Sequence, residues 1–470
     1  MLSLVAGRRE DEGRFDESLE LLRRAKAAAP DAPGILNALG LCLMRLGRAV
    51  EAEAEYDLAL AADPNFAPAI ANRGTALVMQ GRLDEARAAC ERALALEPGN
   101  LVALAELAAL ALQRGDSGEA RALAEQVAAR QPGFPGAMLV LAGADLAEGR
   151  AAAAEARLRL LLRDDKVQPI DQAMARGLLG DALDAQGRHA EAFASWSVAN
   201  RLRKAHHREA YGRRAGTLAQ VRRLTAGLEG KRIAMAWGRG GESKAKRHVF
   251  LAGFPRSGMT PIGQILEGHD EVVALSGKEC LIDAERAWLA DPSRFAALLA
   301  APDAELDAWR DAYWRRVAAE GVDVAGRVFV DSHPFHSFEL PLIARLFPEA
   351  RIVVARRDPR DIVLSCFRHR LRLSDPVYQM LTLQGAAELY AATMRLAEAT
   401  TAAFGLFLHE VALERLIADP EGETRALCDY LGLAPTAAAP TGLNTDGIGK
   451  WRGYETEMAP VMPLLAPWLD

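Results

Sequence analysis

The sequence predicts a multidomain fold: an all-α repeat solenoid followed by an α/β domain with a mostly parallel sheet. Three observations carry that prediction. Gly13, Gly47, Gly81, Gly115 and Gly149 recur every 34 residues, in step with Pro30, Pro64, Pro98 and Pro132. From residue 248 the period changes, and short apolar runs alternate with helical stretches. The 470 residues are 50% hydrophobic but only 6% aromatic, so part of the chain must pack with small side chains, and the repeating part is rich in alanine. A chain of this length builds more than one core, and no apolar run approaches the length of a bilayer span. The net charge of -6 excludes a general polyanion-binding surface, so no nucleic-acid partner is expected and any anion site must be local.

In the repeating part each glycine opens a charged or small stretch and an Ala-bearing helix, as in Gly81-Arg82-Leu83-Asp84-Glu85-Ala86. Gly40 and Gly74 fall at matching sites in the preceding helices, where a missing side chain lets antiparallel helices approach, while proline stops the second helix of each pair. Glycine, alanine and proline keeping register together resembles the tetratricopeptide repeat. Gly187-Arg188-His189-Ala190 repeats the turn after a 38-residue interval, which extends the array to about residue 210 with one lengthened unit. Such a solenoid offers a groove for a protein partner, or for another part of the same chain. Glu17, Glu51, Glu85 and Glu119 recur at repeat spacing as a solvated face, and the basic stretch from Arg201 to Arg223 reads as a connecting or capping helix.

The second part opens with the apolar strand 248–252, the loop Gly253-Phe254-Pro255-Arg256-Ser257-Gly258-Met259-Thr260 and a helical run through Leu266. A strand, a tight loop and a helix N-terminus cradle an anion: backbone N–H groups point into the loop, Gly258 permits close approach, and Arg256, Ser257 and Thr260 add charge and hydroxyls. The Gly-Lys-Ser/Thr ending of an ATP-binding loop is absent. Strands at 327–331 and 351–355 and helices at 338–347 and 361–367 follow. Between the last strand and helix lies Arg356-Arg357-Asp358-Pro359-Arg360-Asp361, at a strand's carboxyl end, where open α/β sheets bind ligands. Arg357 and Ser365 are placed to grip one phosphate, while Asp358, Arg360 and Asp361 form a helix-capping ion network.

Together the two loops resemble the 5'-phosphosulfate and 3'-phosphate motifs of the sulfotransferase superfamily. The likeness runs from about residue 247 to the C-terminus, through Asp331-Ser332-His333-Pro334-Phe335 and Gly449-Lys450-Trp451-Arg452. Helical repeats ahead of such a domain form a bacterial tetratricopeptide-repeat sulfotransferase arrangement, similar to protein-tyrosine sulfotransferases. The resemblance implies a P-loop-like domain that takes 3'-phosphoadenylyl sulfate (PAPS) as cosubstrate and sulfates a hydroxyl on a protein, saccharide or small molecule. It places Arg256, Ser257, Gly258 and Thr260 at the donor's 5' end and Arg357 and Ser365 at its 3'-phosphate. Gly449, Lys450, Trp451 and Arg452, with Gly447, then form a loop closing over the nucleotide.

Arg256 is the candidate for stabilising charge on the leaving 5'-phosphate. Glu279, in Gly277-Lys278-Glu279, falls where protein-tyrosine and repeat-linked sulfotransferases carry a catalytic glutamate and is the leading base; His333 is its rival. His336 reads as a packed or capping histidine, and His369 and His409 show no partners. No Asp/Glu/His ligand set is visible, so no metal is expected. Met259 stands where the family has a hydroxyl residue, Ser332 where repeat-linked relatives place a lysine, and Leu413 where a tyrosine is common; these departures motivate an alternative, a noncatalytic interaction scaffold with a nucleotide-binding domain. The domain expectation is a solenoid over 1–210, a connecting helix and linker over 211–245 and the sulfotransferase domain over 246–470. Five dispersed cysteines and an N-terminus without signal-like character point to the cytoplasm.

Overall fold

The computed structural model describes residues 2–212, 216–233, 244–289, 291–434 and 447–469. The chain divides into two compact units, Met1–Ala210 and Tyr211–Asp470. Of the connecting segment expected over 211–245, residues 213–215 and 234–243, with Arg213 and Arg214 of the basic stretch, lie outside the described residues.

The first unit is a row of paired antiparallel helices, from Leu2–Asp11 with Phe15–Ala28 to Pro169–Asp184 with His189–His206. Each turn glycine of the 34-residue register, and Gly187 after it, has positive φ, the conformation that ends a helix without a Cβ penalty. The small residues inside the pairs answer the low aromatic content. A Cβ on Gly40 would sit 2.3 Å from the ring of Tyr56, and one on Gly180 2.3 Å from the indole of Trp196, so each large ring lies where its partner helix has no side chain. Tyr56 and Trp196 are both fully buried by this.

The second unit is built on a five-stranded parallel sheet. Its strands are β1 (Arg247–Gly253), β2 (Val272–Ser276), β3 (Val328–Ser332), β4 (Arg351–Arg356) and β5 (Leu408–Ala412), in the order β2-β3-β1-β4-β5. Four helices matter for the site: α1 (Met259–Glu267), α2 (His336–Leu346), α3 (Pro359–Arg368) and α4 (Leu383–Phe404). β1 is buried on both faces, as a central parallel strand must be. One face packs Val249, Leu251, Val330 and Val353 against Ile262, Ile265 and Leu266 of α1. The other carries an aromatic cluster in which Phe250, Phe329, Tyr313, Trp314 and Phe347 surround His248.

The strands and helices of the two loop motifs form where expected, displaced by one or two residues. The helix expected over 338–347 starts at His336, and the helix opened by Pro359 runs to Arg368. β2 and β5 were not foreseen: each has five residues and an irregular burial pattern, so neither alternates clearly enough to read as a strand. Because β3 lies on one side of β1 and β4 on the other, the strand order reverses at β1. Gly253 of β1 pairs level with Ala355 of β4, which sets the two motif loops side by side at the carboxyl ends of their strands.

Candidate donor site

The first loop leaves β1 at Gly253 and enters α1 at Met259. Arg256 has φ of 72°, the one positive value outside glycine among the described residues, and holding a residue with a Cβ there requires compensating contacts. Those contacts come from the second loop and α3. Arg256 Nε donates to Ser365 Oγ at 3.0 Å, Arg256 Nη2 lies 3.1 Å from His369 Nε2, and the Arg256 carbonyl accepts from Arg357 Nη1 at 3.3 Å. Cys366 Sγ also donates to the Pro255 carbonyl at 3.2 Å. Gly258, at φ 99°, comes so close to Leu413 that a Cβ would lie 3.1 Å from that side chain.

The second loop is held by its acids. Asp358 caps α3 by accepting from the Arg360 N–H at 2.8 Å and pairs with the Arg360 guanidinium at 2.6 Å, while its own N–H donates to Glu414 at 2.9 Å. Asp361, nearly fully buried, accepts the backbone N–H of Gly449 at 2.6 Å and that of Trp451 at 2.9 Å. Arg360 lies over the Trp451 ring at 3.8 Å, Arg452 stands 5.2 Å from the same ring, and Arg357 donates to the Gly447 carbonyl. The segment containing Gly449, Lys450, Trp451 and Arg452 is therefore tied to the second loop across some ninety residues of sequence. In the sequence Asp361 belongs only to a helix-capping network. Its longer-range role has no local sequence signal.

These elements border a cleft of about 790 Å³, lined by Arg256, Gly258, Met259 and Thr260 from the first loop and by Arg357, Ser276, Gly277, Ser332, Pro334, Leu371 and Leu413. Two polar atoms of the loops, Ser257 Oγ and Nε of the cleft residue Arg357, are buried without a hydrogen-bond partner among the described residues. Burial of unpaired donors is costly unless a ligand completes them, and donors of this kind suit phosphate oxygens. Ser365 Oγ, by contrast, is engaged, accepting from Arg256 Nε–H at 3.0 Å and lying 3.2 Å from His369 Nδ1.

The two base candidates lie off this cleft. Glu279 is exposed and, with Lys278 and Cys280, lines a separate hollow of about 300 Å³, while Ser276 and Gly277 just before it line the cleft itself. His333 follows the cleft residue Ser332, and its base strength falls to a pKa of about 4, through burial first and the charge of His336 second. His336 is not merely packed. Its Nδ1 donates to Glu339 at 2.8 Å, and its Nε2 lies 3.0 Å from Asp331, an ion pair outside hydrogen-bond alignment. Burial opposes its charge, but the two carboxylates outweigh burial and lift its pKa to about 10. Asp331 also accepts from the Tyr313 hydroxyl at 2.8 Å, so His248 Nε2, 2.8 Å from the Tyr313 oxygen, must donate to it.

Ligand atoms of His333, His336 and Glu339 fall within 4.8 Å of one another, an Asp/Glu/His group that was not visible in the sequence. Both nitrogens of His336 already face carboxylates, Nδ1 that of Glu339 and Nε2 that of Asp331. His369 and His409, which showed no partners in sequence, both have them: His369 joins Arg256 and Ser365, and His409 stacks on Tyr430 at 4.8 Å.

Comparison with known proteins agrees with the two units. A profile described as Sulfotransferase family matches residues 248–437, and profiles described as Tetratricopeptide repeat match residues 8–65, 77–123 and 111–176. The chain carries a sulfotransferase-family domain behind a tetratricopeptide-repeat region. The sulfotransferase profile spans both anion loops, β1 through β5 and both base candidates, and it ends before the segment at 447–452. Among solved structures, the chain is similar to a thermophilic TPR protein of Thermus thermophilus, at 20% identity over 41% of this chain and 97% of that one, with a TM-score of 0.33. It is also similar to a tetratricopeptide repeat protein from Parabacteroides merdae, at 19% identity over 44% and 84%, with a TM-score of 0.32. No curated protein gives a significant match. Among the described residues no helix is long and apolar enough to cross a membrane.

Proposed function

We propose that the sulfotransferase domain transfers the sulfuryl group of PAPS to a hydroxyl acceptor, a peptide tyrosine or a saccharide, with the repeat groove taking a protein partner and the chain working in the cytoplasm. The observation that carries this reading is the joining of the two anion loops: Arg256 of the first is bonded to Ser365 and Arg357 of the second, beside buried donors without partners. A donor with a phosphosulfate at one end and a 3'-phosphate at the other calls for two such loops on one sheet edge.

In this reading the donor supplies an activated sulfuryl group. Ser257, Gly258 and Thr260 bind its 5' end, Arg357 and Ser365 bind the 3'-phosphate, and Gly449, Lys450, Trp451 and Arg452 close over the nucleotide. The acceptor oxygen bonds to sulfur as the bond from sulfur to the bridging phosphate oxygen breaks, and Arg256 neutralises charge gathering on that oxygen. The acceptor proton passes to Glu279, with His333, whose burial lowers its pKa to about 4, as the rival base. No metal is needed, because the arginines carry the charge.

Sulfate transfer from isotopically labelled PAPS into a cell lysate, followed by identification of the labelled product, tests activity and acceptor class together. Calorimetry separates this reading from the noncatalytic scaffold that Met259 and Ser332 suggest: binding of PAPS without any transfer supports the scaffold, and binding of neither PAPS nor adenosine 3',5'-bisphosphate rejects the donor site. Glu279→Gln is expected to lose most turnover, at least about a hundredfold, while keeping PAPS affinity. Near wild-type turnover in that variant would move the base to His333.

A further inference from the structure

We propose that His369 is a positioning residue for Arg256, a neutral imidazole that holds the guanidinium at the cleft wall and couples it to the Ser365 end of the site. The proposal rests on the donor-site reading above and adds to it a residue that no motif singled out.

The protonation state of His369 follows from its partners. Nδ1 lies 2.8 Å from the Ser365 carbonyl oxygen, which can only accept, so Nδ1 carries a hydrogen. Nε2 lies 3.1 Å from Arg256 Nη2, which can only donate, so Nε2 presents a lone pair. The ring is therefore neutral, in one tautomer, fixed to the end of α3 on one side and gripping the arginine on the other. Burial, together with the charges of Arg256, Arg368 and Arg370, keeps it neutral against its bond to the Ser365 backbone.

Arg256 needs such a hold for two reasons. Its backbone sits at φ 72°, a conformation that persists only where surrounding contacts favour it. Its side chain has no carboxylate within ion-pair distance among the described residues, so its charge is uncommitted and its direction is set by Ser365 and His369 alone. A carboxylate in place of the imidazole would orient the arginine equally well but cancel the charge an anion needs; a neutral acceptor orients it and leaves the charge intact. Arg256 lines the cleft, whereas His369 is not among the lining residues, so His369 acts on a bound anion through the arginine.

The test is a double-mutant cycle on adenosine 3',5'-bisphosphate affinity, measured by calorimetry on the full chain. His369→Phe keeps the ring and removes both polar contacts, and about fivefold weaker binding is expected. His369→Gln, which keeps a donor and an acceptor, should bind within about twofold of the wild type. In an Arg256→Ala background, His369→Phe should change nothing further. Unchanged affinity in His369→Phe overturns the proposal, as does a loss that adds in full to that of Arg256→Ala, which would make His369 an independent contributor to binding. Circular dichroism and the melting temperature of each variant check folding; if His369→Phe fails to fold, failure of His369→Gln to bind within about twofold overturns the proposal. A wild-type chain that does not bind the nucleotide overturns the donor-site reading itself, an outcome distinct from wild-type binding that is indifferent to residue 369.

Discussion

At the scale of single residues the α/β domain holds buried charge in an unusual distribution: His336 is a cation clamped by Asp331 and Glu339, while His248, His333 and His369 are held neutral. The two kinds make stability depend on pH with opposite sign. The pKa of His336 is raised from an ordinary value near 6.5 to about 10, so its contribution is complete below about pH 6.5 and is lost as pH rises through about 10. The three neutral histidines have depressed values, so theirs is present above about pH 6.5 and declines as pH falls toward about 4 and below. His336→Gln is therefore expected to flatten the fall in stability between about pH 7 and 10 and to leave the acid limb in place, as read by chemical denaturation at a series of pH values. An unaltered alkaline limb would show that His336 is not the charged member. None of this was legible beforehand, since the partners of His336 are identified only once β3 and α2 meet, and a histidine beside Phe335 looks like any packed ring.

At the scale of elements, the parts of the site that could be read in sequence are those written within one strand–loop–helix unit. Gly253 to Thr260 and Arg356 to Ser365 each contain their own strand end, turn and helix start, so local spacing sufficed. What escaped was contact between units: Arg256 with Ser365 and His369, Leu413 against Gly258, and above all Asp361 with the segment at 447–452. That last contact makes a prediction about an element. Asp361 satisfies two backbone N–H groups with one buried carboxylate, and Asp361→Asn leaves a single amide oxygen, with an NH2 group turned toward one of the two donors. A buried donor stripped of its acceptor costs about 1–3 kcal/mol. Because the cost falls on the segment at 447–452 rather than on the sheet, the proposed donor site predicts a drop in nucleotide affinity of roughly tenfold while the circular dichroism of the domain is preserved. Equal affinity in Asp361→Asn would mean that the segment does not serve the nucleotide. Trp451, stacked on Arg360, should report the loosening through its fluorescence.

For the molecule as a whole, two packing regimes sit in one chain. The repeats bury alanine and leucine in successive local clusters, each built from neighbouring helices, whereas the second unit buries branched aliphatics around a parallel sheet whose paired strands are distant in sequence. Composition announced this division through scarce aromatics and abundant alanine, because a repeat can be read from its own period; the order of a parallel sheet cannot, since it depends on which strands meet. The division also has a thermodynamic consequence. A ligand stabilises the unit that binds it by RT ln(1 + [L]/Kd), about 2.7 kcal/mol at a hundredfold excess over Kd. Repeat arrays unfold through nearest-neighbour contacts and gain nothing from a ligand held on the sheet. Calorimetric unfolding of the full chain should therefore resolve two transitions, with adenosine 3',5'-bisphosphate raising the midpoint of one and leaving the other in place. The shifted transition should be the one monitored by the tryptophan population, since of the seven tryptophans Trp237, Trp288, Trp309, Trp314, Trp451 and Trp468 fall within the second unit and Trp196 alone within the repeats. A single transition that moves as one would show that the repeats and the sulfotransferase-family domain unfold together, and no shift at either midpoint would count against the two-loop site as a nucleotide site.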